Sequence, residues 1–400
     1  MNVCMLAYTL YEYDNRVMRY AETLVKQGDH VDVIALRQNN GPGYEAMRGV
    51  NVYRLQKRVF NEKGRFSYLF KILRFFVHSM LFLGRKCLER RYDVVHVHNV
   101  PDFLVYAAWP AKLAGAKIIL DIHDILPEFY ASKFKQEKDS LAFRLMVLLE
   151  RSSIAFADHV IISNHLWRDT LVERSAPGEK ITVILNYPDP SIFHPRCRTR
   201  RDDKFIMMYP GSVNWHQGLD IAIRACAAIQ DQAPQAELHI YGGIHARRVL
   251  APLVSDLGLE NKVVFKDTLP IPSIAEAMAN ADLAIVPKRG SGFGNEAFST
   301  KILEFMALGV PLIVSETRVD RYYFDSNVVE FFKCEDEKDL AGCIVRLIRN
   351  KKRRDTLAAN ASEFAREYNW GKKKEDYLRL LGSLVDNHLR QGKAKARLAA

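Results

Sequence analysis

Cysteine is scarce and scattered. Cys4, Cys87, Cys197, Cys226, Cys334 and Cys343 are the six in 400 residues and form no C-x-x-C pair. That excludes a cysteine zinc site and fits a reducing compartment. Also absent are an internal repeat, a P-loop lysine motif and a G-x-S-x-G elbow, so repeat scaffolds, P-loop NTPases and α/β-hydrolases are set aside. No apolar run reaches the length that spans a bilayer. Residues 1–10 start with an apolar run but have no basic lead and run into Tyr11-Glu12-Tyr13-Asp14, which reads as a first strand and not as a signal peptide. Acidic residues are outnumbered, 47 against 58 basic ones, for a net charge of +11. An anionic partner follows, whether nucleic acid, acidic substrate or phospholipid surface, and composition does not choose among them.

What is present is globular. With 48% hydrophobic and 26% charged residues, a chain this long exceeds one ordinary core and fits two α/β domains of similar size. The most informative stretch is residues 292–311, between the apolar runs Leu283-Ala284-Ile285-Val286 and Leu312-Ile313-Val314. It reads as strand, glycine-rich loop, short helix, strand, which is part of a parallel α/β unit. Ser299 or Thr300 is placed to cap the helix, Ile302, Leu303 and Met306 give it an apolar side, and Gly309-Val310-Pro311 ends it. The free N–H groups of its first turn favour a phosphate beyond the strand ends. Glu296 and Glu304 flank that turn, and carboxylates beside an anion site make sense for a ligand that also offers hydroxyls. A nucleotide sugar offers both.

This spacing, followed by Phe-Met-Ala-Leu-Gly-Val-Pro, resembles the signature of the family-four retaining glycosyltransferases of GT-B architecture. The resemblance implies two Rossmann-like parallel-sheet domains facing a central cleft, with the donor on the second domain and the acceptor on the first. It gives Glu304 the ribose hydroxyls of the donor and Glu296 a place near the transferred sugar. It implies no metal and no cofactor beyond the donor substrate, and no Asp-x-Asp metal motif is evident.

The first half opens as β-α-β: residues 2–8, a helix from Asn15 to Lys26, and a strand from His30. Related enzymes have a glycine-rich acceptor loop after the first strand. Here residues 9–16 lack glycine, leaving Asp14 and Arg16 as acceptor-side lining groups. From residue 54 to 91 basic residues, Lys63 among them, face only two acids, Glu62 and Glu89, and bulky apolar residues are woven between them. Such a helix can lie in the headgroup layer of an anionic membrane, or face the core with a solvated basic rim. Both readings stand, with part of the helix packed inward and its exposed end on lipid.

Strand residues His96 and His98 share a face by period two. No third metal ligand is evident nearby, so they read as crevice-lining or hydrogen-bonded core histidines. The apolar run from Lys117 ends in Asp121-Ile122-His123-Asp124, with Glu128 four residues on. The resemblance gives His123 contact with the donor sugar; Asp124 and Glu128 stand beside it at the strand end, and with His98 they are candidates for the acceptor side. Asn186-Tyr187-Pro188-Asp189 is similar to the family's Asn-x-x-Asp element at the exit of the first domain.

In the second half a strand from Phe205 leads to Gly211, Ser212, Gln217 and Gly218. Related enzymes carry an arginine after the first glycine and a lysine before the second, and both are missing here. Loop amides can still cradle phosphate, while Lys288, Arg289 and Lys301 are the candidates to supply the charge. The expected division is an acceptor-binding domain over 1–190, a linker over 191–204, a nucleotide-sugar domain over 205–370 and a helix crossing back over 371–400, its tail from residue 390 frayed. The expected activity is transfer of a sugar from a nucleotide-diphosphate sugar to a hydroxyl acceptor, a glycan or lipid-linked glycan in surface polysaccharide assembly. The expected location is cytoplasmic, peripheral at the inner membrane face, without nucleic acid as partner. A nucleotide-sugar epimerase of similar architecture and a non-catalytic subunit are the alternatives.

Overall fold

The computed structural model describes residues 1–38, 41–58, 65–134 and 140–398. Glu62 and Lys63 of the basic stretch lie outside them. The chain divides into two compact units, Met1–Asn186 with Lys374–Ala400, and Tyr187–Lys373.

The first unit alternates strand and helix. In order it holds β1 (Asn2–Leu10), α1 (Asn15–Lys26), β2 (His30–Arg37), β3 (Tyr44–Met47), β4 (Val50–Lys57), α2 (Arg65–Glu89), β5 (Val94–His98), α3 (Trp109–Leu113), β6 (Lys117–Ile122), α4 (Leu126–Phe134), α5 (Leu141–Phe156), β7 (His159–Ile162), α6 (His165–Arg174) and β8 (Ile181–Val183). The sheet order is β3-β4-β2-β1-β5-β6-β7-β8, parallel throughout except for β3, which is antiparallel to β4. Strand β1 is buried on both faces from Val3 to Ala7 and reads there as a continuous apolar run, while β5 is buried throughout with His96 and His98 on one face. Asp14 starts α1 by accepting a hydrogen bond from the Val17 amide at 3.2 Å.

Helix α2 has two characters. Ile72, Phe75, Ser79 and Leu83 form a buried stripe at helical spacing toward the sheet. Phe70, Leu73, Val77, Leu81 and Leu88 are exposed on the other side, Phe70 by 67% and Leu81 by 64%. Contrary to the expectation from sequence, Ser67–Glu89 is long and apolar enough to cross a membrane by length and composition. Its buried stripe nevertheless packs on a parallel sheet.

The second unit holds β9 (Phe205–Pro210), α7 (Leu219–Ala228), β10 (Ala236–Tyr241), α8 (Gly243–Asp256), β11 (Val263–Lys266), α9 (Ile271–Ala279), β12 (Leu283–Val286), α10 (Gly292–Glu296), α11 (Thr300–Leu308), β13 (Leu312–Ser315), α12 (Arg318–Tyr323), β14 (Glu330–Phe332), α13 (Glu337–Arg349) and α14 (Lys351–Glu367). Its strand order is β11-β10-β9-β12-β13-β14, all parallel. The order reverses at β9, whose neighbour β12 comes later in the chain, so the loops after β9 and β12 open side by side, the usual place for a ligand. The final helix α15 (Trp370–Leu398) does not fray at residue 390 but runs on to Leu398. Its Tyr377 lies against Tyr20 of α1, ring centroids 4.3 Å apart.

His159 on β7 is buried beside Thr182, Nε2 to Oγ1 2.8 Å, and burial, with the Lys180 charge, pushes it down to about 4. The unfolded chain protonates at an ordinary histidine value, so stability is lost as pH falls from about 6.5 toward 4. Urea unfolding at about pH 7 and pH 5 should show roughly 1 to 2 kcal/mol less stability at the lower pH, a difference that His159→Gln reduces.

Candidate active site

In the first unit, the polar residues at the end of β6 gather around one carboxylate. Asp121 is fully buried and Arg16 clamps both its oxygens, Nε to Oδ2 and Nη2 to Oδ1, each at 2.7 Å. Arg16 also donates to the Ile184 carbonyl at 2.9 Å and to Asn186 Oδ1 at 3.0 Å. His98 Nδ1 lies 3.1 Å and His123 Nε2 3.2 Å from Asp121 Oδ2. Burial pushes the Asp121 carboxyl up, but the Arg16 guanidinium, with His123, more than cancels this and holds it well below the usual carboxylate range. Burial, then the neighbouring His96, pushes His98 well below the ordinary imidazole range, so it is neutral.

This corrects three expectations. Arg16 is no crevice-lining group, because its guanidinium is buried and its hydrogen bonds are spent on Asp121, Ile184 and Asn186. His98 is a fully buried member of the Asp121 network. A third ligand-type group does stand beside the histidine pair: His96, His98 and Asp121 each bring a donor atom within 4.8 Å of the others. The cation that this carboxylate holds is Arg16, and His96 turns its Nδ1 to the Tyr377 hydroxyl at 3.0 Å.

His123 is partly exposed. With Nε2 on Asp121, its Nδ1 takes no hydrogen bond among the described residues and is open to a ligand. The residue that fixes it was not singled out from sequence. Asn99 Oδ1 accepts from the His123 amide at 2.8 Å, while Asn99 Nδ2 donates to Asp102 at 2.8 Å and to the Asp124 carbonyl at 3.0 Å. Asp124 keeps its carboxyl out of this network, and burial raises it above the ordinary range. Asp14 is occupied as the cap of α1. Glu128 is spent structurally: Arg174 Nη2 reaches it at 3.0 Å and Glu150 at 2.6 Å.

In the second unit the loop after β9 is shaped by two glycines. Gly211 has φ +115°, and a Cβ there would meet Lys301 Cε at 2.8 Å. Gly218 has φ +64°, and a Cβ there would fall 1.9 Å from the Pro287 carbonyl oxygen. The Tyr209 hydroxyl lies under the loop, 2.8 Å from the Ser212 carbonyl and 2.9 Å from Gln217 Oε1. Gln217 is therefore a brace within the loop.

The three candidate cations differ. Buried Lys288 faces Asp320 at 2.9 Å and donates to the Ala297 carbonyl at 2.8 Å. Arg289 grips both oxygens of Asp220 at 2.7 Å and stacks on Trp215, 3.5 Å from the ring centroid. Half-buried Lys301 makes no ion pair or hydrogen bond among the described residues. Its ammonium lies 5.1 Å from the Tyr209 ring centroid, and burial pushes it below the ordinary lysine range against the pull of Glu304.

Ser299 precedes α11 without the expected capping bond, and its buried Oγ has no partner among the described residues. Thr300 begins the helix. The stretch expected to be plain loop contains α10, which ends at Glu296, and Glu296 meets Arg318 at 3.1 Å. Glu304 lies one turn into α11, within the field of Lys301. The sequence reading missed His216, whose ring stands edge-on to Phe293 with centroids 5.3 Å apart.

Removing Arg16 would strand a buried carboxylate. Arg16→Ala should cost about 3 to 5 kcal/mol in urea unfolding, and Asp121→Asn, which removes the negative charge itself, should cost less than Asp121→Ala.

Residues 13–187 match the glycosyl transferase 4-like domain and residues 193–364 the glycosyl transferases group 1 domain. The chain is 25% identical over 381 residues to a D-inositol 3-phosphate glycosyltransferase of Thermomonospora curvata, spanning 88% of this chain and 86% of that one. Among solved structures, sucrose-phosphate synthase from Thermosynechococcus elongatus has a TM-score of 0.77 at 19% identity, covering 100% of this chain and 99% of that one. The Anabaena protein HepE in complex with UDP and glucose has a TM-score of 0.71 at 18% identity, covering 96% and 100%. With its two parallel-sheet units and both domain matches, the chain belongs to the family-four glycosyltransferases of GT-B fold.

Proposed function

We propose that the protein transfers a sugar, with retention, from a nucleotide-diphosphate sugar to a hydroxyl acceptor. The observation that carries this reading is the start of α11, where, among the described residues, the Lys301 ammonium makes no ion pair and lies against the glycine turn at 211, and the buried Ser299 hydroxyl has no partner. Helix amides, one cation and one hydroxyl form a set suited to a diphosphate. Their positive field opposes the negative charge that builds on the departing diphosphate as the glycosidic bond breaks, which lowers the barrier. Glu304 takes the ribose hydroxyls and Glu296 the transferred sugar. His123 turns its open Nδ1 to a hydroxyl of the transferred sugar, its ring held at Nε2 by Asp121. The test is transfer and hydrolysis across a panel of nucleotide sugars. Lys301→Ala should raise the donor dissociation constant at least tenfold, about 1.4 kcal/mol or more, and Glu304→Ala should suppress transfer. Release of an altered nucleotide sugar, or no turnover of any donor, would contradict the reading.

The proposed acceptor is a lipid-linked glycan of surface polysaccharide, met at the cytoplasmic face of the membrane. The exposed apolar side of α2 supports this, with Lys71, Arg74, Arg85 and Lys86 on the same helix and Arg90 and Arg91 just after it. Helix α5 adds the exposed Leu141, Leu145 and Leu148. Such a face suits an anionic headgroup layer. Vesicles rich in phosphatidylglycerol should bind the protein, less so as salt rises, and Phe70→Glu with Leu81→Glu should release it. Binding that ignores both salt and these substitutions would remove the membrane assignment.

A further inference from the structure

The loop after β9 carries an imidazole that the proposed reaction does not yet use. His216 lies in the short 3-10 turn Trp215–Gln217, and its carbonyl accepts the Arg289 amide at 3.0 Å. That bond, the close approach of Gly218 to Pro287 and the edge-on contact with Phe293 hold the residue in place. Its ring is half-buried, and its nitrogens take no hydrogen bond among the described residues. Its neighbour Gln217, where related enzymes carry a lysine, is turned to Tyr209 instead.

The charged groups of the elements around it are nearly all spoken for. Lys288 is paired with Asp320, Arg289 with Asp220, and Glu296 with Arg318. Lys301 and Glu304 lie on α11, and only Lys301 and Lys288 act appreciably on the imidazole. Burial, then Lys301, then Lys288 push His216 down to about 4, so it is neutral in the empty site at neutral pH. An anion at about 4–6 Å reverses this balance and raises such a group by roughly one to three pH units.

We infer that His216 is the second cation of the diphosphate site, neutral while the site is empty and protonated when the diphosphate is bound, so that donor capture takes up a proton. The inference rests on the donor reading above and supplies the charge lost with the missing loop arginine and lysine. Since the bound form holds the proton more tightly than the free form, affinity falls as pH rises. The fall is at most tenfold per pH unit, within the window that begins near 4 and ends at the bound value.

The test is titration calorimetry with UDP-glucose, ADP-glucose and GDP-mannose at about pH 5.5, in buffers of different ionisation enthalpy. The diphosphate diester of these donors does not titrate there, so any proton exchanged belongs to the protein. A donor that binds should bring roughly 0.2 to 0.9 of a proton with it. His216→Gln should abolish the uptake and weaken binding about tenfold at that pH. His216→Lys should bind as tightly as the wild type or tighter, without uptake and without pH dependence. His123→Gln should keep the uptake, which ties it to the donor loop. Binding without proton uptake, or uptake that survives in His216→Gln, overturns the inference alone. Failure of all three donors to bind overturns the donor reading with it.

Discussion

A half-buried ammonium group that makes no ion pair is costly, and among the described residues Lys301 is such a group, with only the more distant charge of Glu304 offsetting its burial. Two neighbouring cations have carboxylates of their own, Lys288 with Asp320 and Arg289 with Asp220. Those pairs brace the ends of the loops after β12 and β9, so the loops are held while Lys301 stays uncommitted. Gly211 then matters for a steric reason, since a side chain there would displace the lysine. At the start of α11 the Ser299 hydroxyl has no partner among the described residues. In the proposed donor site this electrostatic cost becomes affinity when an anion binds.

The first unit follows the opposite strategy. Its central charge, Asp121, is saturated by Arg16 and by histidines from two adjacent strand ends, so nothing there calls for an added ion. What the network yields is orientation. His123 is held at Nε2 by Asp121 and at its amide by Asn99, and presents its remaining ring nitrogen outward. In the proposed reading one unit receives the charge of the donor and the other aims the His123 ring.

Much of this was legible in the sequence. Apolar runs located many of the strands, and the helix Asn15–Lys26 has the limits that apolar spacing suggests. The position of α11 after the turn that follows β12 was legible in the same way. What periodicity could not show was which charged side chains are free. Lys288, Arg289 and Lys301 look alike in a row of letters, and their partners Asp320 and Asp220 lie far along the chain. Arg16, Glu128 and His98 misled for the same reason, since each is consumed by a partner from another element. Asn99 gave no signal because it acts through its side chain amide on the backbone of a distant turn. The antiparallel β3 was missed because it is short, exposed and ordered only by pairing with β4.

The most direct measurement is a crystal structure of the protein grown with a nucleotide-diphosphate sugar. The account predicts the diphosphate at the first turn of α11, with its oxygens within hydrogen-bond distance of Ser299 Oγ and Lys301 Nζ. A diphosphate bound elsewhere on the chain, with Lys301 still unpaired, would contradict it.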